Sequence, residues 1–478
     1  MTFTEQNAVE NLLVTLLTGG DPAGKGAGGI GEPGAPYVPT GRSHKGSGWY
    51  FAPGVSLARH INEVFIEEYV RQALIRLNPS IAAQPERADE VLYKLRAIVL
   101  AVRSDGLIRA NEEFTAWLRG DRSMPFGEHN QHVTVRLVDF DDLEQNQYLA
   151  ATQVTFRAGA AERRADLVLF VNGFPLVLVE AKTAVRNSVS WFDGAKQIHD
   201  DYERFVPELF ACNVFSVATE GKDLHYGAVH TPLDQWGPWR ADEALTAGGL
   251  VDMRKAAESL LRPNIILDML ANFTLFATDK KQRRLKIVCR YQQYDGANKI
   301  VQRVLAGAPK KGLIWHFQGS GKSLLMVFAA QKLRMHAGLK NPTVLIVVDR
   351  IDLDTQITGT FTGADIPNLE KADTREKLQQ LLAQGATGFR ITPFIRKDHA
   401  EQWLDSPGMH EMWKTGAETR QAMCCLVDPR QLPGVDTMCQ RYPDTPVVID
   451  HFARIGTDGR MRDEDIQLLA RLARHKHT

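Results

Sequence analysis

Two apolar segments on either side of Asn172-Gly173 constrain the fold of this chain more than any other feature. The sequence ADLVLFVNGFPLVLVEAKT, residues 165–183, predicts a β-hairpin that is buried in a sheet. Asp166 opens the first strand, and Glu180 and Lys182 end the second. Charged groups at the end of a buried strand are unfavourable unless they serve a metal ion or each other. The hairpin therefore predicts either a metal-dependent catalytic site or a salt bridge.

The register of this hairpin decides whether the three charged groups meet. Glu180 and Lys182 are two residues apart, so they share one face of their strand. A two-residue turn would pair Asp166 with Val179, whereas a three-residue loop or one bulge pairs Asp166 with Glu180. Pro175 has no amide hydrogen for a ladder bond and favours such an irregularity. We therefore predict a non-ideal hairpin.

Length and charge limit the chain only loosely. Its 478 residues predict about two to four domains. Lys and Arg together number 57, as do Asp and Glu, so a DNA-binding surface has to be local. One basic cluster is either a phosphate track or a solvated edge. It contains Lys280, Lys281, Arg283, Arg284, Lys286 and Arg290.

Cysteine content and apolar runs predict the compartment. The five cysteines lack metal-ligand spacing, which favours reduced thiols in a cytosolic protein. The start MTFTEQNAVENLL does not resemble a signal peptide, and no apolar run approaches the roughly 18 residues of a membrane helix. We therefore predict a soluble, cytoplasmic protein that does not contact a membrane.

Changes in pattern along the chain predict its domains. Residues 1–54 contain a Gly- and Pro-rich stretch and are predicted to be a flexible arm. Helical periodicity followed by strand alternation predicts an α/β domain at 55–260. Alternating strand and helix, including a predicted strand GLIWHF at 312–317, indicates a parallel sheet within residues 261–385.

A phosphate-binding loop is predicted where QGSGKS follows that strand and precedes a helix. Its backbone amides would face the phosphates of ATP, Lys322 would reach the β and γ oxygens, and Ser323 would hold Mg²⁺. His316 stands where the usual pattern has its first glycine. The alternative is a Gly-rich turn with a chance Lys-Ser. The predicted nucleotide-binding residues are Gly319, Ser320, Gly321, Lys322 and Ser323.

The hairpin, together with NEEFTAWLRG from Asn111 and LVDFDDLEQNQY from Leu137, resembles the restriction subunit of type I restriction–modification enzymes. The resemblance covers roughly residues 55–384. It implies a PD-(D/E)xK endonuclease domain in which Asp166 and Glu180 bind Mg²⁺ and Lys182 completes the catalytic triad.

Two further elements of this domain follow from the resemblance. Gln197 and Tyr202 resemble the family's Gln–Tyr element, although they lie one residue further apart than in Q-x-x-x-Y. Glu63 or Glu67 is either an additional acidic residue beside the metal ion or a helix carboxylate that faces the solvent. The implied partners are double-stranded DNA and the modification and specificity subunits.

The second half of the resemblance implies a RecA-like lobe of a superfamily 2 helicase motor. RYQQYDG from Arg290 resembles its adenine-recognition element, with Gln292 or Gln293 reading the base. The segment VLIVVDRIDLDTQI resembles a motif that touches the DNA backbone, and its alternative is a buried strand with a polar turn. The residues concerned are Asp349, Arg350 and Gln356.

The pattern changes again near residues 384–387. PVVIDHFAR resembles a metal-dependent amidohydrolase of the TIM-barrel type, with His451 at a ligand position. His451 follows Asp450 where a Walker B motif would have Glu, so the general base for ATP hydrolysis is missing. We therefore predict an incomplete RecA-like lobe joined to a partial TIM-barrel-like fragment at 386–478.

These patterns together predict a truncated restriction subunit. It would cleave DNA with Mg²⁺ and bind ATP, but it would not translocate. One alternative is a catalytically silent remnant that binds DNA or other subunits. Another is an amidohydrolase-type hydrolase, against which the absence of further metal ligands argues.

Overall fold

The computed structural model describes residues 7–20, 38–183, 188–240, 249–279, 281–316, 319–340, 342, 344, 346, 358–363, 388–391, 404–456 and 460–478. The chain divides into two compact units. The first comprises Met1–Lys332 with Gly363–Asp365, and the second comprises Leu333–Thr362 with Ile366–Thr478.

A seven-stranded mixed sheet forms the centre of the first unit. The strands of this unit are β1 (Tyr50–Pro53), β2 (Ser123–Met124), β3 (Val133–Thr134), β4 (Tyr148–Ala158), β5 (Ala161–Val171), β6 (Phe174–Ala181), β7 (Phe215–Thr219), β8 (Leu224–Gly227), β9 (Gly237–Pro238), β10 (Thr274–Thr278) and β11 (Arg284–Val288). The sheet order is β1-β4-β5-β6-β7-β8-β9, and β2–β3 and β10–β11 form separate hairpins. The pairs β1–β4 and β6–β7 are parallel, and the other pairs are antiparallel.

Helices surround this sheet. Those that begin in the first unit are α1 (Asn7–Thr18), α2 (Glu67–Leu77), α3 (Pro79–Ala82), α4 (Arg87–Leu100), α5 (Val102–Asp105), α6 (Leu107–Arg119), α7 (Trp191–Lys196), α8 (Glu203–Phe205), α9 (Leu250–Leu260), α10 (Pro263–Asn272), α11 (Tyr291–Ala306) and α12 (Lys322–Met335). The predicted α/β class is confirmed. The PD-(D/E)xK and RecA-like assignments and the domain boundaries remain predictions.

The central strand β6 is buried along its whole length. A strand covered on both faces needs a continuous apolar run, which explains the sequence FPLVLV. The single charged residue within this strand is Glu180, which is therefore held inside the fold.

The β5–β6 hairpin is irregular, as predicted. Asn172 and Gly173 both have a positive φ, which suits a tight two-residue turn between twisted strands. Phe170 pairs with Pro175, but Leu169 pairs with Val177, so the residue between these partners is an unpaired bulge. Beyond the bulge the register is shifted by one residue. The predicted non-ideal hairpin is confirmed.

Replacing Gly173 with Ala should lower the free energy of unfolding by about 2–3 kcal/mol. The φ of Gly173 is +87°, and an added Cβ would lie 2.5 Å from the carbonyl oxygen of Ile66. Urea unfolding followed by tryptophan fluorescence measures the loss. Gly159→Ala is the matched control, because its φ is +60° but an added Cβ meets nothing within 4 Å. Equal losses in the two variants would contradict a steric contribution at Gly173.

The N-terminal residues differ from the predicted flexible arm. Helix α1 packs against β1, β4 and α9, with Leu13 and Leu17 fully buried. Its apolar residues recur every three or four positions and so form one core-facing stripe. β1 lies in the sheet. Residues 21–37, which hold much of the glycine and proline, lie outside the described residues.

The predicted basic cluster does not form one continuous surface. Lys286 is buried and its amino group donates a hydrogen bond to the carbonyl oxygen of Asn213. This burial lowers the pKa of Lys286. Arg284 instead pairs with Glu112. The cluster therefore splits between the interior and the surface; Lys280 lies outside the described residues.

The predicted strand at 312–317 is absent from its described part, residues 312–316. Leu313 and Trp315 are instead exposed, at 72% and 83%. A parallel strand needs neighbours that satisfy its backbone, and none of the described strands pairs with this segment. Phe317 and Gln318 lie outside the described residues, as do Asp349, Arg350 and Gln356.

The second unit contains a parallel sheet in the order β12-β13-β14. Its strands are β12 (Gly388–Ile391), β13 (Ala422–Cys425) and β14 (Val447–Ile449), and its helices are α13 (Pro407–Thr419), α14 (Leu432–Arg441) and α15 (Asp463–Leu472). Trp413, Met423 and Val435 lie at the centre of its core. Over the described residues this sheet is open, so the TIM-barrel-like assignment is not confirmed.

Two observations concern the predicted compartment. None of the helices in the described part of the chain is both long and apolar enough to cross a membrane. None of the five cysteines, all of which lie in the described part of the chain, forms a disulfide bond.

Candidate active site

The bulged hairpin brings the three predicted charged residues together. Leu167 pairs with Val179, so the next position in the register places Asp166 opposite Glu180. Asp166 Oδ2 accepts a hydrogen bond from the amide of Ala181 at 2.9 Å. Lys182 Nζ donates to Glu180 Oε2 at 3.2 Å. The bulge is what places both carboxylates on one face.

Glu180 is the most perturbed carboxyl group of this site. It is 1% exposed. Burial raises its pKa to about 8, the charge of Asp166 adds to this, and Lys182 opposes it. Its Oε1 atom has no hydrogen-bond partner among the described residues. A buried carboxylate oxygen without a partner is unfavourable, so a cation bound by this atom would relieve that cost.

A helical segment closes the other side of the site. A Cβ atom added at Gly194 of α7 would lie 3.4 Å from the Cβ atom of Glu180, so the helix approaches β6 closely. Gln197 Oε1 accepts a hydrogen bond from Lys182 Nζ. Gln197 Nε2 in turn donates to the hydroxyl of Tyr202 at 2.6 Å. Gln197 therefore holds the lysine beside the carboxylates.

The spacing of Gln197 and Tyr202 is accommodated by a π-helical turn. This turn spans Gln197–Tyr202 and contains one residue more than an α-helical turn would. The Tyr202 hydroxyl also donates to the carbonyl oxygen of Arg164 at 2.9 Å. The unusual five-residue separation is thus compatible with direct contact between the two side chains.

Sequence reasoning missed two residues of this site, Glu10 and Gln153. Gln153 Nε2 donates to Glu10 Oε2 at 2.8 Å and to Asp166 Oδ1 at 3.3 Å. Burial raises the pKa of Glu10 to about 7, and the charge of Asp166 adds to the shift. No sequence signal links positions so far apart, although the apolar stripe of α1 could have predicted a packed helix.

The two acids proposed from sequence are engaged elsewhere. Glu63 accepts a hydrogen bond from the backbone amide of His60 at 2.9 Å. Glu67 forms a salt bridge with Arg96. These contacts support neither residue as an additional acidic metal ligand. Glu67 is the first residue of α2, whereas Glu63 lies before that helix and not in it.

The hairpin carboxylates have the chemistry that Mg²⁺ requires. Mg²⁺ is bound through oxygen atoms, commonly one or two carboxylates with water. Asp166 and Glu180 supply such oxygens, and Glu180 Oε1 is unpartnered. Over the described residues, no three His, Cys, Asp or Glu side chains lie close enough together to hold a metal ion. The residues present therefore fit a cation held by two carboxylates and water.

The predicted phosphate loop precedes a helix, as expected. Gly319 and Gly321 have φ values of +84° and +81°, and α12 begins at Lys322. Lys322 Nζ donates to the carbonyl oxygen of His316 at 3.2 Å. Ser320 is buried and Ser323 is half-buried. The glycines permit a backbone that other residues rarely adopt.

Gln293, rather than Gln292, contacts this loop. Its amide donates to the carbonyl oxygen of Gly321 at 3.0 Å. A Cβ at position 321 would lie 2.2 Å from Gln293 Nε2 and would displace this amide, and the φ of +81° also favours glycine here. None of the described hydrogen bonds connects Gln292 with the loop. Both glutamines remain candidates for base recognition.

Two protein families match separate parts of the chain. Residues 45–235 match a family described as "Type I restriction enzyme R protein N terminus". Residues 292–429 match the SWI2/SNF2 ATPase family. The chain thus combines a region similar to type I R proteins with a region similar to SNF2 ATPases. The hairpin lies in the first match, and the phosphate loop lies in the second.

Several curated proteins that are similar to this chain are named as endonuclease subunits of type I restriction enzymes. The Type I restriction enzyme HindI endonuclease subunit of Haemophilus influenzae is 31% identical over 375 residues, covering 73% of this chain and 35% of the relative. The putative type I restriction enzyme MjaVIIP endonuclease subunit of Methanocaldococcus jannaschii is 31% identical over 236 residues, covering 46% and 21%. A Staphylococcus aureus endonuclease subunit, SauMSSORF170P, is 24% identical over 240 residues, covering 49% and 24%. The chain spans about a third or less of the length of these relatives.

The comparisons do not support the amidohydrolase resemblance. The SWI2/SNF2 match runs from residue 292 to 429 and crosses the junction predicted at 384–387. The change in sequence pattern there does not mark the end of the ATPase-like region.

Proposed function

We propose that the first unit is a Mg²⁺-dependent endonuclease that cleaves phosphodiester bonds in double-stranded DNA. The observation that carries this proposal is the convergence of Asp166, Glu180 and Lys182, which depends on the bulge in β6. The similarity of residues 45–235 to type I R proteins supports it.

Each residue of the proposed site has a role set by its contacts. Asp166 and Glu180 would hold the cation, and Gln197 orients Lys182 towards them. A bound Mg²⁺ would supply charge stabilisation at the scissile phosphate and acidify a water ligand. The amino group of Lys182, left without Glu180 when that carboxylate binds the cation, would contact the phosphate oxygens.

We further propose that the loop at residues 319–323 binds ATP with Mg²⁺ through Ser323. Its position before α12 and the SNF2 similarity support this. By analogy with the endonuclease subunits that the chain resembles, it would act with modification and specificity subunits in the cytoplasm. In such an assembly, DNA cleavage would be coupled to ATP-driven translocation.

Lys182→Ala should reduce Mg²⁺-dependent nicking of supercoiled plasmid by roughly 10²-fold or more, because removal of one preorganised group that stabilises charge has this effect. Initial nicking rates of the purified full chain with and without EDTA provide the measurement.

Lys196→Ala is the matched control for this test. Lys196 is exposed at the end of α7, the helix whose Gly194 lies close to Glu180. It should nick at the wild-type rate. Equal nicking by wild type and Lys182→Ala would overturn the site assignment. Absence of nicking in all three proteins would favour a silent DNA- or subunit-binding function.

A further inference from the structure

The side chain of Arg164 leaves β5 on the same face of the hairpin as the proposed site. Arg164 and Asp166 are two residues apart in this strand, and successive side chains of a strand point to opposite faces of the sheet. Leu167 pairs with Val179, and the same register, extended beyond the end of β6, places Lys182 opposite Arg164. One positively charged side chain from each strand of the hairpin therefore lies beside the carboxylates.

Arg164 differs from the neighbouring arginines because it has no acidic partner. Arg157 pairs with Glu162, and Arg163 pairs with Asp201. Arg164 is exposed, and in the described part of the chain its guanidinium group forms neither a hydrogen bond nor an ion pair. The positive charge of Arg164 is therefore not neutralised by a contact within its own strand or the next one.

The charge of Arg164 acts on the carboxylates of the site. Burial and the charge of Asp166 raise the pKa of Glu10, and the charge of Arg164 opposes this rise. These carboxylates would repel a DNA phosphate, so a bound strand needs positive groups beside the metal ion. Lys182 donates to Glu180 when no metal ion is bound. Arg164 is the second positively charged group on this face, and it is accessible to the solvent.

A chain of hydrogen bonds fixes the backbone of Arg164 relative to Lys182. The amino group of Lys182 donates to Gln197 Oε1, and Gln197 Nε2 donates to the hydroxyl of Tyr202 at 2.6 Å. This hydroxyl donates to the carbonyl oxygen of Arg164 at 2.9 Å. The backbone of Arg164 is thus held in place, and a ligand would have to order only its side chain, which lowers the entropic cost of binding.

We propose that Arg164 binds a backbone phosphate of the DNA strand that is cut, next to the phosphate at the metal ion, and so positions this strand across the site. A guanidinium group suits this role, because its parallel N–H groups match two oxygens of one phosphate. The proposal rests on the proposed nuclease function and adds to it a residue that binds DNA outside the bond to be cleaved. The alternative is that Arg164 only compensates the charge of the nearby carboxylates.

The salt dependence of DNA binding tests the proposal. Fluorescence anisotropy of a short labelled duplex, with EDTA to prevent cleavage, gives the affinity of the full chain over a series of salt concentrations. Arg164→Gln should weaken binding roughly tenfold at low salt. It should also reduce the slope of log affinity against log salt concentration by about one, because one phosphate contact is lost. Arg164→Lys should keep the wild-type slope.

Arg109→Gln is the matched control for the binding experiment. Arg109 is exposed on α6, and in the described part of the chain it also forms no ion pair. This variant should bind the duplex with the affinity and salt dependence of wild type. An equal loss in Arg109→Gln and Arg164→Gln would reflect general attraction by positive charge and would overturn the assignment.

Nicking kinetics separate Arg164 from the residues at the cleaved bond. Arg164→Gln should raise KM for supercoiled plasmid roughly tenfold and leave kcat within about threefold of wild type, because it removes binding that the substrate and the transition state share. Lys182→Ala should instead lower kcat. A large fall in kcat with unchanged KM in Arg164→Gln would contradict a contact outside the cleaved bond.

The outcomes also separate this inference from the proposed nuclease. If Arg164→Gln binds DNA like wild type while Lys182→Ala loses nicking, the Arg164 assignment is wrong and the nuclease proposal stands. A lower melting temperature with unchanged DNA affinity would show that Arg164 only compensates the carboxylates. If no protein nicks DNA but Arg164→Gln lowers affinity and slope, the phosphate contact stands and the nuclease proposal is wrong. Should Arg164→Gln not fold, Arg164→Met keeps the apolar part of the side chain and carries the same expectation.

Discussion

Replacing Glu180 with Gln should abolish DNA nicking and, at pH 8 and above, make the metal-free protein more stable. The carboxyl group is 1% exposed and its pKa is raised to about 8, chiefly by burial. Ionising it in the folded state therefore costs a few kcal/mol, since one pKa unit corresponds to about 1.4 kcal/mol. Glutamine has nearly the same shape but no charge to bury, and it is a poor replacement for an anionic metal ligand. We expect at least a roughly 10²-fold loss of nicking.

The same shift predicts how wild-type stability depends on pH. Between the ordinary pKa of 4.5 and about 8, the folded protein holds the Glu180 proton more tightly than the unfolded chain does. The free energy of unfolding should therefore fall as pH rises through this window. Glu10, with its pKa raised to about 7, acts in the same direction.

Urea unfolding with EDTA between pH 5 and 9 measures this effect. The Glu180→Gln protein should show a weaker decline than wild type, because Glu180 no longer contributes to it while Glu10 still does. Glu90→Gln should follow the wild-type curve, because that carboxylate is exposed. Parallel curves for wild type and Glu180→Gln would show that Glu180 is not held as an uncompensated buried acid.

Replacing Lys322 with Ala should weaken ATP binding by roughly 10²-fold. Lys322 stands at the first position of α12, and its amino group donates a hydrogen bond to the carbonyl oxygen of His316. In the proposed complex this amino group would contact the phosphates of ATP, and one charge-assisted contact contributes about 1.5–3 kcal/mol. Titration with a fluorescent ATP analogue in the presence of Mg²⁺ gives the affinity.

Lys310→Ala is the control for nucleotide binding. Lys310 is exposed in the connector before the loop and carries the same charge. It should bind ATP as wild type does. If Lys310→Ala and Lys322→Ala weaken binding equally, the effect reflects general electrostatic attraction, and the phosphate-loop assignment is wrong.

The hairpin register could be predicted because two local requirements fix it. Asn172 and Gly173 define a two-residue turn, and a bulge is then needed for Asp166 to face Glu180. Pro175 already favoured an irregular ladder. The structure has this bulge one residue beyond Pro175. Local turn chemistry and charge pairing were therefore sufficient for this part of the fold.

The contribution of Glu10 could not be predicted in this way. It reaches the site through Gln153, which is 143 residues away along the chain. The contact also needs a positive φ at Gln153, which no residue preference indicates for glutamine. Long-range packing of α1, rather than a motif, brings these groups together.

The sequence pattern was also insufficient to predict which side chains are buried, because burial depends on neighbouring elements. The apolar segment around Leu313 and Trp315 has the composition of a strand, yet no described strand pairs with it. Lys286 belongs to a basic run, yet it points into the interior, where the carbonyl of Asn213 accepts its hydrogen bond. Composition alone does not specify which backbone or side chain will be adjacent.

The π-helical turn at Gln197–Tyr202 has a consequence for the chain that follows it. One extra residue in a regular α-helix would rotate every later side chain by about 100° around the helix axis. The wider turn absorbs that rotation within a single turn. Glu203 therefore keeps its inward orientation and accepts a hydrogen bond from the backbone amide of His230 at 3.0 Å. The extra residue next to the site therefore alters only one turn, and the side chains that follow it keep their orientation in the core.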